Sequence, residues 1–142
     1  MKKSLMIATA AIVAATGFAA VPHADAAAWS KCKSCHTFTP KSKFGPGLGE
    51  GMVDGKMEPG VFMRDAGTHP GFRYKFTKYI PAGKGWKWDE EHLRKWMCDS
   101  KDAIKTFTGN PDARTKMSPQ HICDKDKQDE VLAKLKESSG YE

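Results

Sequence analysis

This sequence has one long apolar run, Leu5 to Val21, and no second one, so it does not encode a bundle of membrane-spanning helices. It has no internal repeat and no stretch of convincing apolar alternation, which argues against a repeat array and against a domain built on a sheet. Cysteine is scarce, with four in 142 residues, and the chain is too short for two sizeable domains. Acidic residues are the minority charge, 17 against 23 Lys and Arg, giving a formal net charge of +6.

The single apolar run sits behind Lys2 and Lys3 and is followed by the small-x-small pattern Ala24-Asp25-Ala26. This is the pattern of a secretory signal peptide over residues 1–26, leaving a mature domain of residues 27–142 that is still basic. A second small-x-small site, Ala26 to Ala28, lies two residues further on, and failed cleavage would leave a membrane anchor. Export makes nucleic-acid binding a poor explanation of the charge, because basic charge alone is weak evidence and export removes the opportunity.

A domain of this size buries a modest core, so a disulfide, metal or cofactor is expected to help hold it. In an oxidising compartment, four cysteines first suggest two disulfides. Cys32-Lys33-Ser34-Cys35-His36 points elsewhere: two thiols three residues apart can form thioethers to the two vinyl groups on one haem edge while the adjacent imidazole reaches the iron. A thioredoxin-like pair would be followed by a helix, whereas here Phe38-Thr39-Pro40 breaks the chain. A four-thiolate zinc site needs a second close pair, and Cys98 and Cys123 are far apart in sequence. Attachment of one haem c through Cys32 and Cys35, with His36 as iron ligand, is therefore expected.

Haem iron takes a second axial ligand or keeps an open position for gas or peroxide. His23 leaves with the signal peptide, His69 precedes a Pro-Gly turn, His92 falls in the first turn of a predicted helix, and His121 closely follows a proline. Met97 shares a helical stripe with Leu93, Trp96 and Ile104 and reads as core. Met117 lies between Pro111 and Pro119 in a stretch without period, where irregular backbone can aim a side chain inward, and it is favoured among these candidates.

Ala27 to Lys31 reads as a very short helical lead, and Pro40 with Gly45-Pro46-Gly47 as a loop. Residues 50–63 read as loop with at most a helical turn, and Gly67 to Gly85 as turn-rich chain carrying Phe72, Tyr74, Phe76 and Tyr79. Asp89-Glu90-Glu91 opens a helix predicted to run to about Ile104. Asp124 or Asp126 caps a last helix with Val131, Leu132 and Leu135 on one face, ending before Gly140.

Taken in order, these residues resemble the class I c-type cytochromes, the family of mitochondrial cytochrome c and its bacterial periplasmic counterparts. The resemblance runs through Cys32-Lys33-Ser34-Cys35-His36-Thr37, Phe44-Gly45-Pro46-Gly47-Leu48, Arg64 with Gly67, and Pro70-Gly71-Phe72-Arg73-Tyr74. It continues through Trp88-Asp89-Glu90-Glu91-His92-Leu93, Thr115-Lys116-Met117 and Val131-Leu132-Ala133-Lys134-Leu135. It implies an all-α, small cytochrome c fold, with short helices and loops wrapped around one covalently bound haem. His36 would be the proximal iron ligand, its ring fixed by the Pro46 carbonyl, and Met117 the distal ligand. Arg64, Tyr74 and Trp88 match positions that hydrogen-bond the haem propionates, with Trp86 a substitute for Trp88, and Trp96 matches the aromatic on the methionine side.

The chain departs from the family in four respects. The segment between Gly47 and Arg64 is longer, and the lead into Cys32 is much shorter after cleavage. Where the family packs an aromatic of the first helix against the last, the matching residues are Ala28 and Lys134, so Trp29 is expected to fill part of that interface. Cys98 and Cys123 lie outside the family pattern, and the resemblance sets them close enough for a disulfide that would clamp the loop holding Met117. The implied function is a periplasmic one-electron carrier and not an enzyme, a monomer steered to acidic docking surfaces of membrane or periplasmic redox proteins. Lys31, Lys33, Lys41, Lys43, Lys84, Lys87 and Lys116 would supply the steering charge. A haem subunit of one redox enzyme and an open-site peroxidase or ligand-binding protein are the alternatives.

Overall fold

A computed structural model describes residues 26–141, so nearly all of the expected signal peptide lies outside the described residues. Among the described residues, no helix is long and apolar enough to cross a membrane. The chain enters through a 3-10 helix, Ala28–Ser34, and three α-helices follow later: α1 Glu90–Cys98, α2 Ser100–Thr108 and α3 Lys125–Ser138. Between them run loops, a second 3-10 turn at Thr77–Tyr79, and an antiparallel hairpin of β1 Gly51–Val53 and β2 Lys56–Glu58.

The hairpin corrects the loop expected over residues 50–63. Its Asp54-Gly55 turn has φ of 49° and 78°, the left-handed pair that suits a tight hairpin. These three-residue strands turn the apolar Met52 and Met57 outward, so the apolar-in, polar-out alternation that reveals a strand in a sequence is missing.

The helix predicted to reach Ile104 is broken in two at Asp99. Its carboxylate accepts the backbone N–H groups of Lys101 and Asp102 at 3.0 and 3.1 Å, which caps α2 and holds Asp99 in extended backbone where α1 ends. Helix α1 starts as expected, with the Asp89 side chain accepting from the backbone N–H of His92 at 2.9 Å and Glu90 and Glu91 in the first turn. Asp124 caps α3 through the Lys127 N–H at 3.1 Å.

Helix α1 packs on α2 and α3, and the 3-10 helix packs on α3. Arg94 of α1 reaches both Glu90 and Asp129, and Lys136 of α3 reaches back to Glu90, so charges rim the α1–α3 contact. At the terminal interface the Ala28 N–H donates to Glu130 at 3.1 Å. Trp29 meets Phe38 edge-on at 5.5 Å, with Lys134 above it, so the contact uses the tryptophan and the lysine stem in place of the family's aromatic packing.

Two cross-links tie the loops to this frame. Cys98, at the end of α1, is bonded to Cys123, and backbone bonds from His121 to Cys98 and from Ile122 to Met97 run beside the bridge. His69 is buried, 5% exposed, and its Nε2–H donates to the Pro40 carbonyl at 2.8 Å, joining the loop after the haem-type motif to the loop that follows Arg64. Its Nδ1 faces the Pro70 carbonyl at 2.8 Å and the Ser42 hydroxyl at 3.5 Å. Burial, and then the positive charge of Arg64, push the His69 pKa below its ordinary value and favour the neutral ring.

Replacing Cys98 and Cys123 together by serine is expected to lower the unfolding free energy by about 3 kcal/mol, read from denaturant titration, because the bridge closes a loop of 25 residues. Histidine titration gives a second test. With its folded-state pKa depressed, His69 takes up a proton more readily when unfolded. Its stabilisation is therefore present above the ordinary value of 6.5 and is lost as the pH falls through and below it. His69→Gln, which still donates to Pro40, should flatten the fall in stability between pH 7.5 and 5.

Candidate functional site

The two segments flanking Lys41 run side by side: Gly45 N–H donates to the Cys35 carbonyl at 2.8 Å and Leu48 N–H to the Thr37 carbonyl at 2.9 Å. This brings the Pro46 carbonyl within 2.8 Å of His36 Nδ1. The approach requires glycine at 45, because a Cβ there would lie 2.3 Å from His36 Cε1. Burial first, and the Arg64 charge after it, lower the His36 pKa, while the Pro46 contact opposes them. The neutral ring donates from Nδ1 to Pro46 and keeps the Nε2 lone pair for a metal.

Cys32 is half-buried and Cys35 exposed, and neither is in a disulfide. Burial pushes the Cys32 thiol upward, with the neighbouring Cys35 adding to the shift, the opposite of what a thiolate nucleophile needs. Because Cys98 and Cys123 are bonded to each other, no second thiol pair is left to complete a four-thiolate site.

Beside these residues opens a cavity of about 580 Å³. All nine residues singled out from the sequence line it: Cys32, Cys35, His36, Pro46, Arg64, Tyr74, Trp88, Trp96 and Met117. Its apolar walls come from Leu48, Val61, Phe76, Leu93, Met97, Val131 and Leu135, all buried members of the core. Met97 is therefore both core and cavity wall.

Arg64 and Trp88 share the cavity because residues 63–66 pair with 86–88 in an antiparallel run: Trp88 N–H donates to the Arg64 carbonyl at 2.9 Å and Ala66 N–H to the Trp86 carbonyl at 2.8 Å. Trp86 does not line the cavity; it stacks on Phe76, and its indole N–H is buried without a partner. Of the two tryptophans, only Trp88 lines the cavity.

Arg64 is 5% exposed and its guanidinium donates to the carbonyls of Gly47 and Pro59, but its Nε–H has no partner and no carboxylate among the described residues forms an ion pair with it. Burial lowers its pKa, opposed by Tyr74 and Glu58, and burial also raises the Tyr74 hydroxyl. A buried cation left unpaired is costly, so a carboxylate entering the cavity is strongly favoured there. A flat apolar cofactor with carboxylate arms fits this lining. The lining also includes Lys31, Arg73, Lys75 and Lys116 and no Asp or Glu, so every charged side chain of the cavity other than His36 is a cation. Arg73, which the sequence offered only as part of a resembling block, and Lys75, which it did not offer, alternate with the aromatics Phe72, Tyr74 and Phe76, a weak signal of a strip laid along an edge.

Met117 sits in irregular chain, as the sequence suggested. Its carbonyl accepts from Ser100 Oγ at 2.8 Å, its N–H donates to Thr115 Oγ1 at 3.2 Å, and its sulfur accepts the Trp96 indole N–H at 2.9 Å. Ser100, fully buried at the start of α2, carried no sequence signal, since it falls at the break the periodicity did not show. His69, His92 and His121 do not line the cavity.

No family model matches the chain. It is 32% identical over 120 residues to cytochrome c2 of Rhodobacter capsulatus, covering 83% of this chain and 86% of that one. It is 33% identical over 144 residues to cytochrome c2 of Rhodospirillum rubrum, covering 96% and 98%. Among solved structures it is similar to cytochrome c2 from Rhodospirillum centenum, with a TM-score of 0.62, 27% identity and coverage of 80% and 93%. It is also similar to cytochrome c2 from Rhodobacter sphaeroides, with a TM-score of 0.62, 28% identity and coverage of 79% and 90%. The Cys-x-x-Cys-His lead, the cavity beside it and these relatives lead to one conclusion: the chain belongs to the class I c-type cytochromes, has their small cytochrome c fold and carries one covalently bound haem c as an electron carrier.

Proposed function

We propose that this chain is a monomeric periplasmic one-electron carrier, not an enzyme, with its iron ligated by His36 and Met117. The observation that carries this reading is that an imidazole fixed by Pro46 and a thioether fixed by Ser100 and Trp96 line the same cavity. When bound, the haem iron supplies the Fe(III)/Fe(II) couple, and a methionine ligand raises its potential.

In this reading each residue has a fixed task. Cys32 and Cys35 hold the haem edge as thioethers. Pro46 keeps the His36 ring in one tautomer and one orientation. Arg64, Tyr74 and Trp88 donate to the propionates and compensate their charge in a poorly hydrated setting, and Trp96 backs the methionine side. The cross-links around Met117 favour a filled iron site over an open one.

The leader, residues 1–26, would take the chain to the periplasm and be removed there. Four of the exposed lysines, Lys31, Lys33, Lys41 and Lys43, fall between residues 27 and 49, a stretch with no carboxylate at all. Lys84 and Lys116 are exposed too, whereas Lys87 is paired with Asp65 at 2.9 Å. With the cationic cavity lining, this distribution suits acidic surfaces on redox partners and gives association that weakens with salt.

Absorption spectroscopy of the oxidised protein tests the ligation. The expected result is a methionine-to-iron charge-transfer band with slow cyanide binding, and loss of the band in Met117→His. A high-spin ferric spectrum with rapid cyanide binding would mean an open iron site and overturn the carrier reading.

A further inference from the structure

Five methionines lie among the described residues, and they divide sharply by environment. Met97 is buried, and Met117 is half-buried with its sulfur already accepting a hydrogen bond from Trp96. Met52 and Met57 are 60% and 65% exposed, and Met63 is 37% exposed. Met52 and Met57 are cross-strand partners in the β1–β2 hairpin, so both side chains stand on one face, with Cβ atoms about 5 Å apart.

The hairpin does not need these two thioethers. Its own backbone pairing and its Asp54-Gly55 turn form it, and neither methionine belongs to the core or packs against it. An exposed, unpacked thioether is instead the side chain that a two-electron oxidant reaches most easily. In the haem-bearing protein Cys32 and Cys35 are thioethers and Cys98 and Cys123 a disulfide, so no free thiol among the described residues competes for the oxidant. Oxidation at Met117 would remove the very sulfur read as the iron ligand, whereas oxidation at Met52 or Met57 leaves both the fold and the cavity untouched.

We propose that Met52 and Met57 form a sacrificial oxidation site, consuming hypohalous-acid and peroxide oxidants ahead of Met117. The protective consequence rests on the reading of Met117 as iron ligand. With hypochlorous acid the sulfur lone pair attacks oxygen: an S–O bond forms, the O–Cl bond breaks, chloride leaves with the bonding pair and the hydroxyl proton is released. Sulfur is oxidised by two electrons, the chlorine is reduced to chloride, and one equivalent of oxidant yields one sulfoxide. The exposed position also keeps both sulfoxides within reach of sulfoxide-reducing enzymes, which makes the site renewable.

The test is a titration of the oxidised haem-bearing protein with zero to five equivalents of hypochlorite, alongside Met52→Leu/Met57→Leu. Peptide mass spectrometry and the methionine-to-iron band are read together. The first two equivalents should appear as sulfoxide on Met52 and Met57 while Met117 stays unmodified and the band is retained. In the double variant, thermal unfolding should be unchanged, and Met117 oxidation and band loss should begin about two equivalents earlier. The proposal is overturned if Met117 sulfoxide accumulates in step with Met52 and Met57 from the first equivalent, or if the variant loses its band at the same dose as the parent. A band missing before any oxidant is added would instead overturn the ligand reading of Met117, and the order of peptide oxidation would still decide the sacrificial site.

Discussion

The buried guanidinium of Arg64 is the constraint around which the rest of this structure is arranged. It lies in the wall of a cavity of about 580 Å³, held by the carbonyls of Gly47 and Pro59, with one donor unused and no carboxylate to balance it. Among the described residues only Tyr74 and the more distant charge of Glu58 offset it. Leu48, Val61, Phe76, Trp88, Leu93, Met97, Val131 and Leu135 belong to the core and line the cavity, so the core is completed only when a large apolar group with anionic arms occupies it. A covalently held haem meets both demands, and this is why a small domain rich in loops can hold together with three short helices.

The functional consequence follows from how rigidly the two proposed ligands are carried. His36 is set by a hydrogen bond that only a glycine at 45 permits, and Met117 is set by Ser100, Trp96 and, six residues further on, the bridge between Cys98 and Cys123. Groups positioned in advance need not rearrange when charge moves, which suits an electron carrier. His69 extends the same logic by joining the loop that follows His36 to the loop that follows Arg64.

Much of this was legible in the sequence because it is local. Cys32, Cys35 and His36 carry their chemistry in their spacing, Asp89 and Asp124 announce the starts of α1 and α3, and Met117 stands out by lying between prolines. Features that depend on chain segments far apart were not legible. The Asp99 break was hidden because the apolar stripe continues across it, and only the cap geometry reveals that the aspartate serves two helices at once. The hairpin was hidden because its strands are three residues long and turn their methionines to solvent. Ser100, His69 and Gly45 are common residues whose roles arise from a carbonyl, or a ring, supplied by a distant loop. Trp86 and Trp88, two residues apart on one face of the chain, were not separable by pattern, since it is tertiary packing that sets Trp86 against Phe76 and Phe107 and leaves Trp88 at the cavity.

The claim that the cofactor completes the core is tested most directly by comparing the haem-bearing protein with a haem-free Cys32→Ser/Cys35→Ser chain in which the Cys98–Cys123 bridge is intact. Near-ultraviolet circular dichroism, which reads the packed tryptophans, would be followed through a denaturant titration of each. The haem-free chain is predicted to lose the fixed aromatic signal and to unfold without a cooperative transition. A haem-free chain with the same signal, unfolding cooperatively at the same denaturant midpoint as the haem-bearing protein, would contradict the account.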